Sequence, residues 1–119
     1  MNHLKEGFLK KLEEQARVSS TEELIEKIEA SNSLLKKYEE EINYLEVEQR
    51  RLNNEYGKSY DFDFVVNTKD LNSLVNYRDA IINKIIENNY ILNDLKIFKE
   101  KQEKINSWLF KMYYFLNVF

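Results

Sequence analysis

The sequence has no cysteine and no proline, only two glycines (Gly7 and Gly57), one tryptophan and one histidine. Without cysteine there is no disulfide, no thiol nucleophile and no thiolate metal ligand, and the redox compartment is unreadable. Proline and glycine break helices and shape tight turns, so their scarcity favours a few long helices. Two glycines so far apart cannot build a glycine-rich phosphate loop. The single histidine, His3, stands near a terminus, where a catalytic base or metal ligand would be poorly held. Long hydrophobic runs are missing too. Residues 1–11 have no continuous apolar core, so no secretory signal is expected. The apolar stretch 108–119 falls short of the ~20 residues a bilayer span needs, and Lys111 and Asn117 interrupt it.

What the chain does contain is a balance of apolar and charged side chains. Of its 119 residues 43% are apolar and 33% charged, with a formal net charge of −3. That is one small domain, too apolar for a disordered chain and too weakly charged for a nucleic-acid mimic. Residues 1–56 hold 13 acidic against 9 basic residues, and the paired Arg50-Arg51 lies in this acidic half. No basic face for neutralising a phosphate backbone emerges, and no nucleic-acid partner is expected. Asp61, Asp63 and Asp70 gather around the middle of the chain but lack the glycine and closing glutamate of a calcium loop, and read as a solvated turn. No cofactor, metal or catalytic constellation is visible, and an enzyme is not expected.

The strongest pattern is a rhythm. Leu24, Ile28, Ser31, Leu35, Tyr38, Ile42, Leu45, Gln49, Leu52 and Tyr56 recur at alternating steps of four and three. Such spacing returns to one narrow face of a helix, the kind of seam that meets another helix in a coiled coil. The outer faces carry pairs such as Glu23 with Lys27 and Glu46 with Arg50. Ser31 and Gln49 interrupt the seam with polar groups. These either fix register or sit over a small gap or a water, and the second reading is preferred. Before the seam, Leu4, Phe8, Leu12 and Ala16 step by four, with Glu13 and Arg17 paired, over a helix about 3–18. Ser20 with Glu23 fits a capping box that would start a new helix, unless one helix simply runs through. Gly57 ends the rhythm where a C-cap glycine belongs.

In the stretch 57–67 Tyr60, Phe62 and Phe64 alternate with polar residues, which suggests an extended loop turning its rings to one side. Helical order resumes at Thr68 or Asp70, either of which could serve as N-cap. The expected elements are thus a helix about 3–18, a helix about 20–56, a loop 57–67 and a helix about 68–117. The last helix first uses Leu71, Leu74, Ile81, Ile85, Leu92 and Leu95 as its seam. It then continues through Ile91, Leu95, Phe98, Gln102, Ile105, Leu109, Met112 and Leu116. Beside that seam runs a second row, Val75, Ile82, Ile86, Tyr90 and Ile97.

The break divides 56 residues from 52, so two arms of nearly equal length can pair antiparallel. Each would reach roughly 75–85 Å at ~1.5 Å per helical residue. The expected fold is all-α: a long antiparallel helical hairpin, coiled-coil-like, with the first segment covering Trp108 to Leu116 or folding back as a third helix. A two-helix hairpin encloses no full core, so the second row of apolar residues is expected to mark an interface, unless the first helix folds back and covers it as a three-helix bundle. The candidate partner-binding residues are Val75, Ile82, Ile86, Tyr90 and Ile97 on the row, Tyr60, Phe62 and Phe64 at the tip, and Trp108 and Phe110 near the end.

In layout the chain resembles the WXG-type superfamily of type VII secretion, and within it the small helical partner proteins of LXG-domain toxins in low-GC Gram-positive bacteria. The resemblance rests on the arm lengths, the acidic coiled first arm, and the run Lys99-Glu100-Lys101-Gln102-Glu103-Lys104 followed by Trp108, Leu109 and Tyr113. The chain departs from the name-giving Trp-x-Gly at the turn, where Tyr56-Gly57 stands, so no functional residue carries over by motif. The resemblance implies a non-enzymatic targeting factor, cytoplasmic or co-exported, that binds the helical amino-terminal domain of a secreted toxin and presents it to the export machine. Two rival readings remain at this point: a self-associating structural or phage accessory protein that dimerises through the same row, and a small inhibitor or immunity protein.

Overall fold

The computed structural model describes residues 21–118, without the side chain of Val118, together with Gly7, Lys10 and Lys11. The expected helix about 3–18, its Glu13–Arg17 pair and the cap at Ser20 lie otherwise outside the described residues. Within residues 21–118 three helices follow one another: α1 (Thr21–Lys58), the short α2 (Phe62–Asn67) and α3 (Leu71–Val118). No strand occurs among the described residues. The two long helices pack against each other, which makes the fold the helical hairpin that the spacing predicts.

In α1, Glu22 and Glu23 lie in the first turn and Lys58 in the last, each opposing the helix dipole. All ten seam positions of α1 are sheltered: Leu24, Ile28, Ser31, Ile42 and Leu52 are buried, and the other five are half-buried. Leucines and isoleucines removed from water in this way stabilise the pairing by about 1.5–3 kcal/mol each.

The seam of α3 differs in membership from its expected form. Its sheltered line is Leu74, Arg78, Ile81, Ile85, Asn88, Leu92, Leu95, Lys99, Gln102, Asn106, Leu109, Tyr113 and Leu116, again alternating four and three, and the expected Ile105 and Met112 are sheltered beside it. Leu71, Ile91 and Phe98, assigned to the seam by their apolar character, are exposed by 73%, 42% and 48%. Spacing decides the face, and the polar members Arg78, Asn88, Lys99 and Asn106 occupy positions that counting apolar residues passes over. Arginine and lysine tolerate such places because their aliphatic stems can lie along the seam while the charge reaches its edge.

The chain divides into two compact units. In the unit formed by residues 1–37 and 98–119, Leu24, Ile28, Leu109 and Met112 make a buried cluster joined by Ile105, Tyr113 and Leu116. There Gln102 Nε2 donates to Ser31 Oγ at 2.9 Å, and Asn106 Nδ2 donates to Asn32 Oδ1 at 3.1 Å. A groove lined by Lys27, Ala30, Ser31, Leu34, Gln102, Ile105 and Leu109 opens beside the first pair, so Ser31 is both bonded and next to a gap. In the unit 38–97, Ile42, Leu52, Leu74 and Ile81 are buried. Gln49 Nε2 donates to the Ile85 carbonyl at 3.0 Å and to Asn89 Oδ1, and Lys96 stands 3.7 Å from Glu46.

The connection differs from the expected loop. Residues 62–67 are helical rather than extended, so the alternation of aromatics does not align their rings on one side. Asp70 is the N-cap of α3, accepting from the Asn72 amide at 3.0 Å and from Ser73 Oγ at 3.0 Å. Thr68 instead donates its hydroxyl to the Phe64 carbonyl at 2.8 Å. Gly57 is not a left-handed cap. Its φ is not positive, α1 continues through it to Lys58, and a Cβ there would meet nothing within 4 Å. Gly57→Ala is therefore expected to stabilise the fold by about 0.5 kcal/mol through lost unfolded-state freedom and better helix propensity. A thermal midpoint that falls in this variant would show that the turn needs glycine.

Candidate interaction surface

Five of the ten candidate residues lie along α3 in the unit 38–97. Val75, Ile86, Tyr90 and Ile97 are exposed by 44%, 48%, 72% and 41%, and Ile82 is half-buried beside the seam. Large apolar side chains standing this far into water on one helix are a departure from the ordinary scatter of surface residues. Val75, Ile86 and Ile97 recur at eleven-residue intervals, whereas the seam recurs at seven. Between them the rim is made mostly of exposed Asp79, Asn83, Asn89, Asn93 and Asp94.

The cations of this stretch are engaged within the unit, whereas Asp79 and Asp94 stand exposed. Arg78 Nη2 donates to the Ser59 carbonyl at 2.8 Å and Nε to Ser59 Oγ at 3.2 Å, while the guanidinium lies 3.7 Å from the centre of the Tyr60 ring. Lys84 stands 3.7 Å from Glu87, and Lys96 reaches Glu46. Such a line offers apolar contact and amide groups more than a cationic field. On the outer side of α1, Arg51 bridges Glu48 and Glu55. The bond from Arg51 holds the Glu48 carboxyl below its usual range.

The tip residues separate. Tyr60 packs edge-on against Tyr56 with ring centres 5.3 Å apart, and their hydroxyls share a 2.8 Å hydrogen bond that pushes the Tyr56 phenol upward. Phe64 is half-buried against Tyr77, with ring centres 5.3 Å apart. Phe62 remains 80% exposed, and α2 buries none of its residues. Tyr60 and Phe64 thus make contacts within the turn, although Tyr60 remains 54% exposed, and Phe62 is the most exposed of the three rings.

Trp108 and Phe110 belong to the other unit. Trp108 is half-buried, with the Lys111 ammonium 4.7 Å over its ring, and Phe110 shares a shallow apolar hollow with Lys111, Tyr113, Tyr114 and Phe115. Tyr77, Ile91 and Phe98 are exposed apolar residues outside the expected set. Ile91 and Phe98 fall on a second four-three line of α3, and spacing alone does not tell it from the line that Leu74 and Ile81 begin.

Among the described residues, no group of three or more histidines, aspartates or glutamates is placed to hold a metal ion. No helix among them is long and apolar enough to cross a membrane.

The two tip phenylalanines should separate in a stability assay. Phe62→Ser is expected to shift unfolding by no more than about 0.5 kcal/mol, as for exposed sites generally. Phe64→Ala should cost roughly 1–2 kcal/mol, about half the loss for a fully buried phenylalanine. Equal losses in urea titrations would contradict this division of the tip. Compared with known proteins, the chain matches no family model, no curated protein and no solved structure.

Proposed function

We propose that this chain is a non-enzymatic helical adaptor that holds a helix of another protein against the outer line of α3. The observation that supports it is the exposure of Val75, Ile86, Tyr90 and Ile97 along one helix, with Ile82 at its inner margin. Covering these side chains would return about 25 cal/mol per Å² of apolar surface, less the cost of association. Tyrosine and flanking amides give such a line directional contacts as well as apolar area. Its neighbouring cations are occupied by Ser59, Glu87 and Glu46, which favours a protein partner over an anionic lipid surface, where free lysines or arginines would flank the apolar face.

The resemblance to the partners of LXG-domain toxins supplies the specific candidate. In this reading the adaptor binds the toxin's helical amino-terminal domain in the cytoplasm and accompanies it to the export machine. The rival occupant of the same line is a second copy of the chain.

Co-expression with the amino-terminal domain of an LXG toxin, followed by co-purification and light scattering, tests the assignment. Replacing both Ile82 and Ile86 by glutamate should weaken capture at least about a hundredfold, the scale of losing central contact residues. The helical circular-dichroism signal should stay nearly intact. A stable symmetric dimer without toxin affinity would transfer the line to self-association. Parallel loss of helix and binding would show that these isoleucines are core.

A further inference from the structure

Within the unit 38–97, α3 carries two apolar lines, and only one of them can face α1. The inner line has Leu74, Ile81, Ile85 and Leu92; the outer has Val75, Ile82, Ile86 and Tyr90. Val75, Ile82 and Ile86 each follow an inner residue by one position, so a turn of ~100° about the helix axis would exchange the two. Over residues 74–86 the two lines are similar in kind, so hydrophobic burial, which is non-directional, does not choose between them there; farther along, the turn would bring Asn93 and Lys96 to the places of Leu92 and Leu95.

The polar contacts do choose. With α3 as it stands, Arg78 reaches the Ser59 carbonyl and hydroxyl, Gln49 reaches Asn89, and Lys96 faces Glu46. A one-residue turn would put Asp79 against the Ser59 carbonyl, Tyr90 in place of Asn89, and Ile97 in place of Lys96 opposite Glu46. Each exchange removes a donor or acceptor, and the first sets like charge density together. Ser59, fully buried, fixes the far end of this arrangement. The same layer is not tuned for stability alone, because Gln49 Oε1 and Asn88 Nδ2 are buried without hydrogen-bond partners. Polar seam groups that cost stability while excluding alternative packings are a known device of paired helices.

We propose that Arg78 and Gln49 are rotational keys that hold the outer line of α3 away from α1 and so keep it available. The inference concerns which face is presented and stands whatever binds there. The absence of cysteine gives a direct test, since single cysteines report each face by their rate of reaction with a maleimide.

Ile81→Cys sits where the native residue is 6% exposed, and Ile86→Cys where it is 48% exposed. In the otherwise native chain the first should react about tenfold or more slower, as for a site that needs local opening. With Gln49→Leu and Arg78→Leu added, the ratio should collapse toward one while the helical circular-dichroism signal persists. The gentler pair Gln49→Asn and Arg78→Lys should lower the ratio partway. A ratio that survives the leucine pair overturns the proposal. Outright loss of helix in the leucine pair also overturns it, by showing that these groups hold the fold instead of selecting a face.

Discussion

A pair of helices cannot surround a side chain; each helix can only shade one line on the other. Every feature of this molecule follows from that geometry. The seam of α1 is sheltered at all ten positions, yet only half of them are truly buried, because one neighbouring helix shades them from one side only. Among the described residues, the apolar surplus on α3 has no second inner face to occupy. It stands in water at Val75, Ile86, Tyr90 and Ile97, and the adaptor reading is built on that surplus.

The second consequence is that polar groups enter the seam. In a wide globular core Arg78, Asn88 or Gln102 would meet a prohibitive desolvation cost. At a two-helix seam each lies close enough to the edge, or to a matching group, to be satisfied in part. Arg78 finds Ser59 and Tyr60, and Gln102 finds Ser31, whereas Asn88 Nδ2 finds nothing. The hydrogen bonds are directional where the apolar contacts are not. They define the match between the helices more sharply than leucines that would fit several arrangements.

That division explains what the sequence made legible. α1 could be read almost residue by residue, because its seam is apolar at eight of ten positions and its spacing never falters. α3 could be recognised as a helix but not correctly rotated at every turn. Its seam mixes charged and amide residues with leucines, while apolar residues such as Leu71, Ile91 and Phe98 stand outside it. The tip was least legible. Six helical residues give too short a span for periodicity to speak, and an alternation of aromatics imitated an extended strand. Gly57 misled for a related reason, since glycine near a helix end suggests a cap although the backbone here needs none. Of the candidate surface, the row on α3 was visible in advance as apolar excess. The contacts that Tyr60 and Phe64 make at the turn depended on Arg78 and Tyr77, which lie more than ten residues away in sequence.

The eleven-residue recurrence of Val75, Ile86 and Ile97 carries one more implication. A seven-residue repeat drifts in the left-handed sense of a coiled coil, whereas eleven residues in three turns drift slightly the other way. In the proposed adaptor, a rod following these three side chains would slant gently away from the path of the seam. Ile86, midway between the other two, would then lie at the centre of its contact.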